Sequence, residues 1–437
     1  MRYRVRLSSD AKKVVSSTSE QRTSIKTMYA QPETIASLRT PEAVRTRCNE
    51  LLSIGENGNL THFAVDIPRL AATAQLVADN IRFNYPSLDI PYHSRWRHFE
   101  VAGDDRWLRT STMVREANAR ELGRARFDAA IISVLLDAGA GPCWSYRDRY
   151  DGRSYSRSEG LALASLELLE TGMLSSRQDE PVRADAEILR QLDVEHLRRA
   201  FQLRPDNPLI GVEGRVALLR SLGEVVLNRV DVFGTDEPRV GRLFDYLYEQ
   251  SVHGELAARQ ILIVVLDVFS PIWPSRLKFD NVDLGDVWRH SAIRRVGDTD
   301  ALLPLHKLSQ WLTYSLLEPL EEAGLLVTGL DALTGLAEYR NGGLFLDTEV
   351  LTLRDCANIE LEHEVSSELV VEWRALTVAL LDRLVPLVRE LLNLHEQQLP
   401  LARVLQGGTW NTGRVLASKL RANGAPPLRI VSDGTVF

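Results

Sequence analysis

Apolar residues recur at every third or fourth position along most of the chain, which is the spacing of an amphipathic α-helix. This spacing predicts ten helices, at residues 42–53, 67–80, 124–138, 159–173, 183–204, 213–230, 240–251, 254–268, 303–323 and 368–397. Strand-like patterns are short and fall at 346–353 and 428–432. We therefore predict a mainly α fold, with one large helical domain and a small β element near the C-terminus.

The N-terminal residues differ from the rest of the chain because they are polar, basic and rich in serine, with no apolar centre. They lack the pattern of a secretory signal, and no apolar run approaches the roughly 20 residues of a membrane span. We predict a flexible N-terminal arm over residues 1–38 and a helical domain over residues 39–437.

Charge and cysteine usage narrow the class of protein. The chain of 437 residues carries a net charge of −7, a balance that does not favour nucleic acid or a membrane surface as partner. Its three cysteines, Cys48, Cys143 and Cys356, are too sparse for a disulfide framework. This usage fits a reducing compartment, so we predict a cytoplasmic protein.

The stretch PYHSRWRHFE, residues 91–100, concentrates histidine, arginine and tryptophan. Its alternation predicts an extended segment, in which His93, Arg95 and Arg97 point the same way and His98 points into packing. Two guanidinium groups and an imidazole on one face suit a phosphate or a carboxylate. A solvated cationic face explains the same pattern, and a metal at His93 and His98 is a third interpretation.

A loop and an acidic segment supply further candidate residues. The loop at 143–160 contains Tyr146 and suits stacking on a ring or a sugar, although an exposed polar loop would show the same pattern. Three aspartates recur at every third position of FDNVDLGDVW: Asp280, Asp283 and Asp286. Two of them would share a face if the segment turned helical at its end. Capping and surface solvation are the competing explanation, and Asp286, which precedes two apolar residues, is expected to be the most buried.

The predicted helix that starts at 303 carries a polar column. Its members fall on one face at a spacing of four: His306, Gln310 and Tyr314. Lys307 and Trp311 form the next strip. Buried polar side chains need partners, so the column predicts the lining of a pocket for a small, anionic molecule.

A last candidate pair precedes a turn signal. Glu338 and Arg340 stand just before Asn341-Gly342, a dipeptide that favours a tight hairpin turn. The competing explanation is a hairpin stabilised by a salt bridge.

Several long strings resemble one family. PYHSRWRHFE, LPLHKLSQWLTYSLLEPLEEAGL, a GGTW…GR segment and the terminal SDGTVF resemble the fungal and bacterial family called uracil catabolism protein four, from about residue 40 to the C-terminus. The resemblance implies a pathway in which uracil is converted to its ribonucleotide and the ring is then opened. Ribosylurea-type intermediates, with urea as a product, are implied as well.

A second resemblance concerns the fold and the reaction. GVEGRVALLRSLGEVV, VVLDVFSPIWPSR and LGDVW are similar in order and spacing to segments of the queuosine-salvage nucleoside glycosidases. That similarity implies a helical core related to DNA glycosylases and cleavage of an N-glycosidic bond. Asp286 then matches a functional aspartate. Where that family has Asp-Tyr-Arg this chain has His306-Lys307, which puts the second acid in doubt.

The two resemblances together imply hydrolysis of the N-glycosidic bond of a ribosylurea-type small molecule, with or without a 5′-phosphate, without metal or cofactor. Asp286 would stabilise positive charge at the anomeric carbon, His306 would act as acid or base, and Glu338 is a reserve. The remaining candidates would bind the substrate: His93, Arg95, Arg97, Tyr146, Lys307, Gln310, Trp311, Tyr314 and Arg340. Two alternatives stay open: an amidohydrolase of the same pathway acting on a ureido group, and a non-enzymatic ligand-binding or scaffold protein.

Overall fold

A computed structural model of the chain describes residues 33–115, 118–137, 139–273 and 276–431. Helices form most of its secondary structure. Their bounds in chain order are α1 Glu33–Leu38, α2 Pro41–Glu56, α3 Leu70–Asn84, α4 Arg106–Ser111, α5 Ala119–Leu135, α6 Arg157–Glu170, α7 Ala186–Arg190, α8 Val194–Ala200, α9 Val212–Asn228, α10 Val230–Phe233, α11 Arg242–Glu249, α12 Ala258–Phe269, α13 Lys307–Glu322, α14 Tyr339–Asp347, α15 Glu368–Leu392, α16 Leu401–Val404 and α17 Trp410–Leu420.

The strands are two or three residues long and pair only in twos within the described part of the chain. Their bounds are β1 Phe63–Val65, β2 Glu100–Val101, β3 Asp104–Asp105, β4 Tyr146–Arg147, β5 Ser154–Tyr155, β6 Glu255–Ala257, β7 Lys278–Phe279, β8 Val282–Asp283, β9 Val287–Arg289, β10 Leu302–Pro304, β11 Leu326–Thr328, β12 Leu351–Leu353, β13 Glu362–Glu364 and β14 Arg429–Val431. Two pairs, β6 with β11 and β13 with β14, are parallel, and the other five are antiparallel. The mainly α fold predicted from the sequence is confirmed.

Helix α15 lies at the centre of the fold, because its side chains are buried on every side over most of its length. Helices α2 and α3 pack along it, and helix α13 packs against α5 and α12. These contacts give one continuous apolar core through most of the described residues. A long helix that is buried on every side is typical of the core of a large domain.

The predicted helices differ from the observed ones mainly at their ends. The segment 183–204 forms two short helices, α7 and α8, instead of one. Residues 255–257 form strand β6 before α12 begins, and residues 302–304 form strand β10 before α13 begins. The strand-like segments contain β12 and β14, which pair with β1 and β13 respectively.

The described end of the predicted N-terminal arm is helical. Residues 33–38 form α1, in which Ile35 and Leu38 are fully buried. They pack with Leu284, Val287 and Leu302 in a second, smaller apolar cluster. The earlier residues of the predicted arm lie outside the described part of the chain.

The stretch around Arg95 is not extended, so that prediction is wrong. Residues Arg95–His98 form a 3₁₀ helix, whose threefold turn points neighbouring side chains in different directions. Arg95 is fully buried, whereas Arg97 keeps about a fifth of its side chain exposed. The two guanidinium groups therefore do not share one face.

One further local prediction is wrong, and one stated condition is not met. Asn341-Gly342 does not form a hairpin turn, because both residues lie inside helix α14. FDNVDLGDVW does not turn helical at its end, since it forms strands β7 and β8 and then enters β9. Asp280 is exposed, Asp283 is half-buried and Asp286 is buried, as its apolar neighbours led us to expect.

Within the residues that the structure describes, no helix is both long enough and apolar enough to cross a membrane.

Candidate functional site

The pairing of β9 with β10 sets the position of Asp286. Val287 lies opposite Pro304, so Asp286 stands beside the residues that lead into α13. Its backbone carbonyl accepts a hydrogen bond from the Leu305 amide at 2.9 Å, and its Oδ2 accepts one from the Lys307 amide at 2.8 Å. Asp286 therefore caps the N-terminus of α13 from a different segment of the chain, where a negative charge is favourable.

The carboxylate of Asp286 has no capacity for a further donor. Arg374 binds it with both terminal nitrogens, NH1 to Oδ1 and NH2 to Oδ2, each at 2.9 Å. Trp288 Nε1 donates to Oδ1 at 2.6 Å, and Lys307 N completes the set on Oδ2. A carboxylate has about four lone-pair sites, so all of them are occupied. Burial raises the pKa of Asp286, but the Arg374 charge and these hydrogen bonds outweigh it and hold the pKa below its usual range.

His306 lies beside Asp286 but faces the N-terminal helix. Its backbone has a positive φ of 48°, and its Nε2 lies 3.0 Å from the carbonyl oxygen of Leu38. Burial lowers the pKa of His306 to about 4. A neutral imidazole that meets a carbonyl must donate its Nε2 hydrogen, so this nitrogen is occupied by a structural contact.

The side chain of Lys307 is half-buried, and the described residues offer its ammonium no hydrogen bond or ion pair. Burial is the main cause that lowers the pKa of Lys307, and the Arg374 charge lowers it further. The carboxylates of Glu338, Asp137 and Asp286 raise it. The net pKa of Lys307 lies below its usual value. Lys307 is therefore surrounded by three carboxylates without being paired to any one of them.

Glu338 is the N-cap of α14. Its Oε2 accepts from the Arg340 amide at 2.7 Å, and its Oε1 accepts from the Asn341 amide at 2.5 Å. Burial raises the pKa of Glu338 despite these hydrogen bonds and the Lys307 and Arg340 charges. Each oxygen keeps one free lone pair, so Glu338, unlike Asp286, can still contact a ligand.

Arg95 and Asp137 add a second pair of charges near Lys307. Arg95 Nε donates to Ser133 Oγ at 2.7 Å, and its NH1 lies 3.1 Å from Asp137 Oδ1. The alignment is too poor for a hydrogen bond, so both terminal nitrogens of Arg95 and Oδ1 of Asp137 lack a partner in the described structure. Arg95 also stacks over the ring of Trp311, at 5.7 Å from Cζ to the ring centroid.

Several of the charged and aromatic residues around Lys307 carry buried atoms that make no hydrogen bond. Besides Arg95 and Asp137, they include Nε1 of Trp311, Nε of Arg340 and Oδ1 of Asn341, none of which finds a hydrogen-bond partner among the described residues. Buried polar groups in proteins are normally paired, and an unpaired group costs about 1–3 kcal/mol. We call Arg95, Asp137, Lys307, Trp311, Glu338 and Arg340 the Lys307 cluster. Its unpaired donors and acceptors suit a small polar ligand.

Four of the predicted binding residues face elsewhere. Arg97 is ion-paired to Glu318 at 2.7 Å and to Glu100 at 2.8 Å. Tyr146 donates its hydroxyl hydrogen to Glu167 at 2.5 Å. Gln310 and Tyr314 both bind Thr334, the first at its hydroxyl and the second at its carbonyl oxygen. The last two side chains are fully buried and already paired, so this end of the polar column stabilises the core.

The histidines of the 91–100 stretch are uncharged at neutral pH. Burial lowers the pKa of His93 to about 4 and that of His98 to about 3. His93 Nδ1 lies 2.8 Å from Gln406 Oε1, and the His98 ring meets the edge of Trp311 with 5.9 Å between centroids. His98 thus contacts the Lys307 cluster through Trp311, whereas the sequence pointed it into packing or, with His93, toward a metal.

Sequence analysis missed two other charged residues of the site. Asp137 directly follows helix α5, and Arg374 lies within the buried central helix α15. An arginine amid the apolar stripe of α15 was a usable signal, because a fully buried arginine requires an anionic partner. Nothing local in the sequence identified Asp286 as that partner.

A small cavity lies beside Asp286 and His306. It measures about 10 Å³, room for one water molecule, and Trp273 and Ser309 also line it. Over the described ranges, no group of three or more histidine, cysteine, aspartate or glutamate side chains is arranged to hold a metal ion.

Comparison with known proteins places this site within a family. The family model described as "Protein of unknown function (DUF1688)" matches residues 37–437. The chain belongs to the DUF1688 family. The DUF1688 match contains every residue of the Lys307 cluster as well as Asp286 and Arg374.

Two relatives are similar over nearly their whole length. "Protein urg3" of Schizosaccharomyces pombe is 40% identical over 415 residues, which cover 93% of this chain and 99% of that protein. "Uracil catabolism protein 4" of Lachancea kluyveri is 35% identical over 416 residues, which cover 87% of this chain and 93% of that protein. The family resemblance found in the sequence is therefore confirmed.

Proposed function

We propose that this chain acts in uracil catabolism and hydrolyses the N-glycosidic bond of a ribosylurea-type intermediate, with or without a 5′-phosphate, to release urea. The name of the Lachancea relative supports the pathway. The reaction is supported by one observation above all: the terminal nitrogens of the fully buried Arg95 make no hydrogen bond, and the half-buried Lys307 and the buried Glu338 belong to the same cluster of charges.

The unpaired atoms suit the chemistry of a ribosyl group and of urea. Sugar hydroxyls both donate and accept, so they can satisfy Asp137 Oδ1 and Asn341 Oδ1 as well as the terminal nitrogens of Arg95. Trp311, over which Arg95 stacks, adds an Nε1 donor that has no partner among the described residues. A ligand with several hydroxyls therefore removes most of the unsatisfied groups at once.

Glu338 is the acid in this proposal. The bond from the anomeric carbon to the urea nitrogen breaks with its electron pair leaving on nitrogen, and that nitrogen takes a proton from Glu338. The raised pKa of Glu338 keeps the carboxyl group protonated at a higher pH than an exposed glutamate would allow. Positive charge develops at the anomeric carbon, where the Asp137 carboxylate, whose Oδ1 makes no hydrogen bond, can stabilise it. Water is consumed in the overall reaction.

Asp286 acts as a positioning residue in this proposal. Its oxygens are saturated by Arg374, Trp288 and the Lys307 amide, which leaves no lone pair for a substrate. It fixes the first turn of α13 and with it the start of the Lys307 side chain.

The test is to incubate the protein with ribosylurea and with its 5′-phosphate and to measure urea and free sugar. We expect equal amounts of urea and sugar from at least one compound. Glu338→Gln should lower kcat about 10²–10⁴-fold, the usual loss of an acid–base group. Asp193→Asn, which alters an exposed N-cap far from the cluster, is the matched control and should keep full activity.

The proposal would be overturned if neither compound released urea. Ammonia in place of urea would also overturn it and would indicate hydrolysis of the ureido group instead.

A further inference from the structure

Lys307 is unusual among the lysines in the part of the chain that the structure describes. Lys278 and Lys419 are exposed, and Lys278 lies 3.5 Å from Asp283, whereas Lys307 is recessed and has no direct partner in the described structure. Lysine side chains are normally solvated, so a recessed lysine without an ion pair is not explained by stability.

The same position can be compared with the arginines of the chain. Only six of its 52 lysine and arginine side chains are lysines. The described buried cations with carboxylate partners, such as Arg106, Arg239 and Arg374, are arginines. Arginine stays charged at any physiological pH, whereas a buried lysine can lose its proton and become a nucleophile.

We propose that Lys307 is the nucleophile of the reaction and that its uncharged Nζ displaces urea from the anomeric carbon, forming a covalent ribosyl-lysine. This inference rests on the proposed function and adds its covalent step. The Nζ lone pair forms the bond to the anomeric carbon, and the bond to the urea nitrogen breaks with its electron pair leaving on urea. Glu338 gives its proton to the urea nitrogen and, as carboxylate, takes the proton that Nζ loses.

The adduct is hydrolysed without any further reactant. The Nζ–H of the adduct loses its proton, the ring oxygen of the ribosyl group gains one, and the bond from C1 to the ring oxygen breaks, which leaves an imine between Nζ and the former anomeric carbon. Water adds to this carbon, the bond to Nζ breaks, and the sugar leaves as its aldehyde, which closes again to the ring. Nζ ends the cycle as the free amine, and the sum is substrate plus water giving urea plus sugar.

The placement of Lys307 suits this role in two respects. The lysine is the first residue of α13, and the positive end of a helix disfavours an ammonium, so the uncharged amine gains from the position. Its backbone amide donates to Asp286 Oδ2 at 2.8 Å, and Trp311, over which Arg95 stacks at 5.7 Å, follows it by one helical turn. The charges of Glu338, Asp137 and Asp286 act on its amine. The same amine is therefore under the influence of a proton donor, Glu338, and of a charge-stabilising carboxylate, Asp137.

Reductive trapping tests the adduct directly. The protein is incubated with ribosylurea and sodium cyanoborohydride, digested, and analysed by mass spectrometry. We expect one reduced pentose on the peptide that contains Lys307. Lys307→Met and Lys307→Arg should both abolish the adduct and lower turnover on the order of 10³-fold or more, as removal of a nucleophile does. The arginine variant keeps the charge and therefore separates a covalent role from an electrostatic one.

Controls come from the exposed lysines and from a product sugar. Lys278→Met and Lys419→Met should keep both adduct and turnover. Trapping with ribose 5-phosphate in place of ribosylurea tests whether the Lys307 amine forms an imine with a sugar that carries no urea.

The outcomes separate this inference from the proposed function. Urea release without an adduct, or with activity retained in Lys307→Arg, would overturn the nucleophile and leave the hydrolysis standing. Equal labelling of Lys278 and Lys307 would indicate non-specific glycation and would also overturn it. An adduct at Lys307 with ribose 5-phosphate, in a protein that releases no urea, would overturn both the hydrolysis and the displacement of urea, and would show only that the amine is reactive.

Discussion

Asp286 and Arg374 form a bidentate ion pair in the interior, with both nitrogen–oxygen distances at 2.9 Å. Arg374 reaches out from the central helix α15, and Asp286 caps α13, which carries Lys307 at its start. The pair therefore fixes the orientation of the candidate nucleophile relative to the core. Its partners are 88 residues apart, so it forms only when the whole domain has folded.

Breaking this pair should destabilise the protein. We expect Asp286→Asn to lower the free energy of unfolding by about 3–5 kcal/mol, because it leaves the buried Arg374 charge uncompensated. Adding Arg374→Gln should restore part of the loss, since the double variant has no unpaired charge. Guanidinium chloride unfolding measures both. Asp206→Asn, in an exposed pair with Arg204, is the control and should change the value by less than about 1 kcal/mol.

The same variant separates two roles of Asp286. An Asp286→Asn protein with wild-type stability and no turnover would contradict the positioning role. It would instead support the reacting carboxylate that the resemblance to nucleoside glycosidases implied.

The helical domain could be predicted because its signal is local and repeated. Leu376, Leu380 and Leu384 recur every four residues, so the helical period stays recognisable even where one position departs from it. The burial of Asp286 followed in the same way from its apolar neighbours. What the sequence could not supply were contacts between distant segments, such as the capping of α13 by Asp286.

The local patterns that failed were overridden by such distant contacts. The alternation in PYHSRWRHFE is compatible with a strand, but Arg95 is drawn inward by Ser133 and Asp137, which follow it by 38 and 42 positions. Gly342 follows an asparagine, the usual turn signal, yet its carbonyl accepts from Trp373 Nε1 at 3.1 Å. A side chain at Gly342 would collide with that indole, so close packing explains the glycine.

Arg95 and Arg97 should differ in substrate binding. The terminal nitrogens of Arg95 make no hydrogen bond, although NH1 lies 3.1 Å from Asp137, whereas Arg97 is ion-paired to Glu318 and Glu100. We expect Arg95→Met to weaken binding of the phosphorylated substrate about 10–100-fold, the value of a lost hydrogen bond to a charged group. Arg97→Met should change binding less than about threefold. Isothermal calorimetry with both substrate forms measures this, and thermal unfolding checks the fold of each variant. Equal losses in the two variants would argue for a shared anion site after all.

Stability should fall as the solution is acidified from about pH 6.5 to about pH 4. Burial lowers the pKa of His93 and His306 to about 4 and that of His98 to about 3, while unfolded histidine has a pKa near 6.5. In this window the unfolded chain binds protons that the folded one does not. Within this window, each histidine therefore lowers the free energy of unfolding by up to about 1.4 kcal/mol for each pH unit of acidification. The stability that its neutral form contributes is fully present only above about pH 6.5.

A matched pair of variants tests this linkage. His306 and His253 both have a positive φ, at 48° and 53°, a conformation that asparagine tolerates. His306→Asn should make the unfolding free energy less dependent on pH between about 4 and 6.5. His253 is exposed, so His253→Asn should leave the dependence unchanged. Identical pH profiles for wild type and His306→Asn would contradict the assignment of a buried, neutral His306.

The close approach of α17 to α14 should make activity sensitive to one methyl group. A Cβ added at Gly413 would lie 2.2 Å from the carbonyl oxygen of Arg340, in the first turn of α14 that Glu338 caps. We expect Gly413→Ala to cost about 1–3 kcal/mol of stability and to lower urea release by displacing Glu338. Gly214→Ala is the control, because that helical glycine is exposed and an added Cβ meets nothing within 4 Å. It should instead raise stability by about 0.5–1 kcal/mol, through the lower conformational entropy of the unfolded chain. Full activity in a destabilised Gly413→Ala protein would show that the cap of α14 does not hold the reacting acid.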